Sequence, residues 1–180
     1  MIIIKTKILI KILDNEIWLY KDNKFYKEKT NEIMKNNFIT NYKTLEKILK
    51  EAINKYKLSN LIIQNKLYII INKLYCETNL YVLKIVLYNL GFSNYRLIYE
   101  EDLYKNLYNN TLCIWNNNGI YIEKDKEIFI DLYNKEDIKR IKSNTLVITH
   151  NKEIIKRISK DIISYEEMEI PIFKLINENI

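Results

Sequence analysis

A chain of 180 residues, 48% of them hydrophobic, can form one domain or two small lobes around a real core. Its 2 glycines and 1 proline nearly exclude glycine-rich phosphate-cradling loops, which need positive φ and close backbone approach. The net charge of +6 suits a nucleic-acid or anionic partner, but the excess of Ile, Lys, Asn and Tyr points to AT-rich codons in a low-GC bacterium and to lysines on solvated faces.

The opening MIIIKTKILIKIL is too short and too charged for a membrane span and lacks a signal-peptide cleavage region, so a cytoplasmic protein is expected. Residues 2–13 are rich in β-branched side chains. Asp14-Asn15 interrupts them, 17–20 resume, Asp22-Asn23 turns again, and 25–29 follow. Turn chemistry at both breaks predicts a three-strand meander. An Asn-rich linkage (Asn31, Asn36, Asn37) leads to a helix over 42–56, where Leu45, Ile48, Leu49, Ala52, Ile53 and Tyr56 form one apolar face.

Apolar runs at 61–64 and 67–72 predict strands, the second buried on both faces. Thr78 or a neighbour is expected to cap a helix over 80–90, apolar nearly all round and therefore deeply packed. Gly91 suits the left-handed position that ends a helix. The strand at 95–99 then lies parallel to 67–72 through a β-α-β crossover. Glu100-Glu101-Asp102 opens a short helix through Tyr108, where acids favour the dipole and are expected to be solvated.

Asn109-Asn110 marks the expected boundary between a first lobe, 1–109, and a smaller second lobe, 110–180. Runs at 111–115, 119–123 and 127–132 predict a second meander. A helix (136–142), a strand (145–149), a helix with Ile154, Ile155, Ile158 and Ile162 inward, and a strand at 169–174 complete it. A meander followed by alternating helices and strands thus occurs twice. That is the ribonuclease H-like order, and the fold class is α/β.

Candidate chemistry is sparse. A two-metal nuclease needs clustered carboxylates, whereas Asp14, Glu16, Glu100, Glu101, Asp102, Glu123 and Asp131 fall on turns, strands and one helix start. His150, the sole histidine, has no partnered nucleophile and suits a helix start. Cys76 and Cys113 have neither metal-ligand nor disulfide spacing, and Cys76 is expected to be a small buried residue. Trp18 and Trp115, one per meander, suit core or half-exposed strand positions. Tyrosines beside lysines could stack on bases, but no RNP-like or OB-like pattern accompanies them, so nucleic-acid binding ranks second. No residue is assigned a catalytic, cofactor-binding or metal-binding role.

Residues 66–107 resemble the actin-like bacterial proteins, including the MreB, FtsA and type IV pilus PilM families. The likeness rests on a buried strand, a long helix, then LYNLGF at 87–92 and YRLIYEE at 95–101. TLVITHNKEIIKRI at 145–158 resembles their later strand–turn–helix, and EIPIFK at 169–174 the strand after it. The extra run at 61–64 looks more like PilM than MreB. The departures fall on the nucleotide loops. Lys11 lies about where the family's first phosphate loop has its Asp, Asn116-Asn117-Asn118-Gly119 replaces a Gly-rich turn, and His150-Asn151 replaces a Gly-Gly turn.

The resemblance therefore implies a degenerate, minimal actin-like protein: two ribonuclease H-like lobes with the inserted subdomains missing. It implies a pseudo-ATPase scaffold with no cofactor. The implied partner is a protein, by likeness to PilM a cytoplasmic tail of an inner-membrane protein in a pilus, secretion or cell-shape assembly. Self-association, as in MreB and FtsA, comes next. Contact with the inner membrane would be peripheral, through the partner.

Overall fold

The computed structural model describes residues 7–13, 15–21, 24–30, 33–35, 38–58, 66–105, 110–115, 118–124, 126–142, 145–149 and 162–164. The chain divides into two compact units, Met1–Tyr99 and Glu100–Ile180.

The first unit runs β1 (Lys7–Ile12), β2 (Glu16–Lys21), β3 (Lys24–Lys29), β4 (Met34–Lys35), β5 (Phe38–Ile39), α1 (Tyr42–Lys55), β6 (Lys66–Ile71), α2 (Glu77–Asn89) and β7 (Tyr95–Tyr99). β1, β2 and β3 form the expected antiparallel meander. β6 then joins β1 in parallel and β7 joins β6, giving the sheet order β3-β2-β1-β6-β7. Strand alternation sends Ile8, Ile10, Ile17, Leu19, Leu67 and Ile69 into one core with Leu45 and Leu49 of α1 and Leu83, Val86 and Leu87 of α2. Burying each such side chain contributes about 1.5–3 kcal/mol. On the opposite face, Leu9, Lys11, Trp18, Tyr68 and Ile70 are buried as well.

Helix α1 follows its sequence pattern. Asn41 caps it by accepting the Thr44 N–H at 3.0 Å, and Leu45, Leu49, Ala52 and Ile53 are its buried face. Helix α2 does not follow its pattern. Thr78 lies inside it; Cys76 is the N-cap residue, makes no side-chain capping bond and is exposed rather than buried. Nor is α2 packed all round. Asn79, Leu83, Val86 and Leu87 are buried, whereas Tyr81, Lys84, Ile85 and Tyr88 are exposed. Leu80 and Val82 are half-buried against the same core, and Tyr81, Ile85 and Tyr88 face outward.

The end of α2 is as expected. Gly91 takes φ +83°, its N–H bonds Tyr88 O, and the Phe92 N–H reaches back to Leu87 O. This is a Schellman close, with Phe92 and Leu87 both in the core.

The β4–β5 hairpin occupies what the sequence suggested was linkage. Its signal is the Asn36-Asn37 pair between short apolar runs, a turn dipeptide that is easily taken for loop composition.

The second unit runs α3 (Glu100–Lys105), β8 (Asn110–Trp115), β9 (Asn118–Glu123), β10 (Lys126–Asp131), α4 (Lys135–Lys139), β11 (Leu146–Thr149) and β12 (Ile162–Ser164). Its sheet order, β10-β9-β8-β11-β12, repeats that of the first: an antiparallel meander, then two parallel strands. Leu112, Ile114, Tyr121, Ile130 and Val147 form its core. α3 packs on β8 and β9, so the unit starts at Glu100, before the Asn109-Asn110 boundary suggested by composition.

Ile162 belongs to β12, paired with Val147, and not to the inward face of a helix. A three-residue apolar run carries no period that separates the two. The expected strands at 61–64 and 169–174, most of the helix before Ile162, Asp14, His150 and the Trp115 side chain lie outside the described residues. Among those described, no helix is long and apolar enough to cross a membrane.

Candidate functional site

The turns that would cradle phosphates in the resembled family follow β1 and β8. Lys11, near the end of β1, is only 3% exposed. It stands opposite Trp18 on β2, its Nζ 5.7 Å from the indole centroid, and Lys27 Nζ lies 5.1 Å from the same ring. Phe25 meets that indole edge-on at 5.8 Å. Trp18 is therefore a core residue stacked between cross-strand lysines. A lysine ammonium is a donor only, so it cannot coordinate a divalent cation as an aspartate does. At the β1–β2 turn the Leu13 N–H bonds Glu16 O at 2.9 Å, and the Thr30 N–H bonds Asn15 O at 2.7 Å.

Gly119 lies within β9, opposite Ile114. A Cβ built there would come 2.8 Å from Cys113 O and 3.1 Å from Leu112 Cδ1. Close packing of β8 against β9 thus accounts for this glycine without a phosphate.

The candidate acids are engaged in structure. Glu100 and Glu101 are fully buried, not the solvated helix-start acids expected from the sequence. The Tyr104 hydroxyl donates to Glu100 Oε1, and burial, then the adjacent Glu100 charge, pushes the Tyr104 phenol well above its ordinary range. Asp102 is exposed, with Lys105 Nζ at 3.6 Å, and Lys105 also pairs with Glu127. Glu123 pairs with Lys142, whose hydrogen bond holds the carboxyl below its usual value. Asp131 Oδ1 accepts the Tyr133 N–H at 2.9 Å. Among the described residues, no group of three or more His, Cys, Asp or Glu is placed to hold a metal ion.

A groove opens in the first unit between α2 and β7. Lys84, Ile85, Tyr88, Phe92, Ser93 and Tyr95 line this groove of about 510 Å³. Tyr88 is 77% exposed and Tyr81 66%. The Tyr95 phenol is raised by burial, so it stays a neutral hydroxyl. Sequence reasoning missed this site by treating α2 as one apolar cylinder. Tyr81, Lys84, Ile85 and Tyr88 recur at three, four and seven, a second stripe on the face away from Leu83 and Leu87.

Two sheets, each a meander extended by two parallel strands, make this molecule a minimal protein of the actin-like fold. It is similar to the ethanolamine utilization protein EutJ from Carboxydothermus hydrogenoformans, at 13% identity and TM-score 0.64, over 95% of this chain and 89% of that one. It is also similar to the MreB5 protein of Spiroplasma citri bound to ADP, at 10% identity and TM-score 0.55, over 69% of this chain and 50% of that one. The match thus spans half of that protein's length. Where the family resemblance places an inserted subdomain, between the third strand and the first helix, the described residues of this chain form the β4–β5 hairpin. No family model and no curated protein matches the sequence.

Proposed function

We propose that this chain is a non-catalytic actin-like scaffold that binds a protein partner without ATP. The observation that carries the reading is Lys11: a buried lysine stands about where the resembled family's first phosphate loop has its aspartate. Gly119 supports it, since strand packing explains the glycine. By likeness to PilM, the partner is a cytoplasmic tail of an inner-membrane protein of a pilus, secretion or cell-shape assembly. The scaffold would then lie in the cytoplasm, peripheral to that membrane through its partner.

The test has two arms. ATP or ADP with Mg²⁺ or Mn²⁺ should leave the melting temperature unchanged, because a ligand that binds only the folded state raises it. A pull-down analysed by mass spectrometry should recover a membrane-protein component. A nucleotide-dependent rise in melting temperature, or ATP turnover, would overturn the reading. So would recovery of RNA-associated proteins together with salt-sensitive oligonucleotide binding.

A further inference from the structure

We infer that the groove between α2 and β7 is the docking surface for an extended, acidic and apolar peptide segment, which adds a strand to the free edge of β7. The inference rests on the scaffold reading and names where the partner binds.

Three observations carry it. First, β7 ends its sheet, and among the described residues it pairs only with β6. Its N–H and C=O groups therefore present a pairing template. No residue of β7 is fully buried: Tyr95, Leu97 and Ile98 are half-buried, and Arg96 and Tyr99 are exposed. The devices that usually blunt an edge, a proline or several lysines, are absent from YRLIY.

Second, the groove beside that edge is apolar and aromatic, with Tyr88, Ile85, Phe92 and Tyr95 in its lining. A strand added to β7 directs alternate side chains over α2, where these residues would receive them. Tyrosines open to solvent on a rigid helix are the type that anchors interfaces.

Third, the charge is one-signed. Lys84 is the only ionised residue among the six that line the groove, and Arg96 projects from the opposite face of β7. Neither has an ion-pair partner among the described residues. Carboxylates on either face of an added strand would meet a cation, giving the partner its acidic character. A second copy fits less well. Edge-to-edge pairing about a two-fold axis would place the same cations on both sides of one seam, with no lining carboxylate to offset them.

The test is a random-peptide selection against the full chain, with a Lys84→Glu/Tyr88→Ser chain as counter-selection. Both positions are exposed, and circular dichroism checks the fold. Sequences lost on counter-selection should alternate apolar residues and carry Asp or Glu. The most enriched of these, made as a fluorescein-labelled peptide, should bind the double variant at least about tenfold more weakly by anisotropy. Replacing its acids by lysine should weaken binding to the unaltered chain similarly. Bound peptide should also slow hydrogen exchange at residues 95–99.

Equal binding to both chains, preference for basic peptides, or unchanged exchange in β7 would overturn the inference. A dimer of the unaltered chain that the double variant dissociates would assign the surface to a second copy and overturn it as well. None of these outcomes produces nucleotide binding, the result that sinks the scaffold reading, so the two failures remain distinct.

Discussion

Asn79, buried in α2, accepts through Oδ1 a 3.0 Å hydrogen bond from the backbone N–H of Ile39, forty residues earlier. That bond fixes the β4–β5 hairpin to the helix. Asn79→Ala would leave the Ile39 N–H buried without this acceptor, at a cost of roughly 1–3 kcal/mol. Urea unfolding should show the loss, with faster hydrogen exchange at 38–39. An unchanged midpoint would mean that the hairpin holds its place by its apolar contacts alone.

The two glycines are required for different reasons, and alanine substitutions should separate them. Gly91 sits at φ +83° with nothing within 4 Å of an added Cβ, so Gly91→Ala carries only left-handed strain, about 1–2 kcal/mol. At Gly119 the added methyl meets the Cys113 carbonyl at 2.8 Å. Gly119→Ala must push β8 from β9, at about 1–3 kcal/mol or more. Denaturation midpoints should rank Gly119→Ala as the more damaging, and the reverse order would refute the clash.

Three fully buried tyrosines should respond differently to loss of the hydroxyl. Tyr104 donates to Glu100, so Tyr104→Phe should cost roughly 1–3 kcal/mol. The hydroxyls of Tyr68 and Tyr121 have no hydrogen-bond partner among the described residues. Tyr68→Phe and Tyr121→Phe remove an unsatisfied group without changing the ring, so they should be neutral or stabilising, by up to about 1 kcal/mol. Thermal melts of the three variants decide the matter, and a destabilised Tyr68→Phe would show that its hydroxyl is satisfied.

The fold was legible wherever period and punctuation agreed. Asp14-Asn15 and Asp22-Asn23 mark the first meander, and Gly91 marks the end of α2. Less legible was what depends on partners distant in sequence. Nothing local says that Glu100 and Glu101 are buried while Asp102 is exposed, because that follows from α3 packing on β8 and β9. The outward face of α2 was hidden for another reason. Ile85 and Leu83 look alike to a hydropathy scale, and only the neighbouring elements decide which one is covered. The lack of any glycine between residues 10 and 15, by contrast, was plain in the sequence, since it rests on residue identity alone.

Glu28 should leave a pH signature. Burial alone would raise its carboxyl, but hydrogen bonds from Lys55 at 2.6 Å and from Tyr56 outweigh that and hold it below its ordinary 4.5. A depressed folded pKa means that the contribution is complete above 4.5 and is lost as pH falls through the folded value. Lys55 is raised above its ordinary 10.5 by the same pair. Its contribution is complete below 10.5 and is lost as pH rises through its folded value. Glu28→Gln should therefore lower the melting temperature most near neutrality, where both contributions are complete, and flatten its dependence on pH at both limbs. If the acid limb keeps its slope in the variant, the pair does not govern it.

Leu87 and Tyr88 are adjacent, yet they stand on opposite sides of the packing that defines α2: Leu87 is fully buried and Tyr88 is 77% exposed. Leu87 lies in the core with Leu83 and Phe92 and closes the Schellman turn through its carbonyl. Leu87→Ala should cost about 2–5 kcal/mol, through lost burial and the cavity left behind. Tyr88→Ser removes a larger side chain, but one whose surface is already in water, so stability should move by no more than about 0.5 kcal/mol. The contrast tests the orientation of α2 directly. A helix packed all round would lose several kcal/mol at both positions. If Tyr88→Ser is as damaging as Leu87→Ala, then the outer face of α2 is covered in solution and the groove beside β7 is not open.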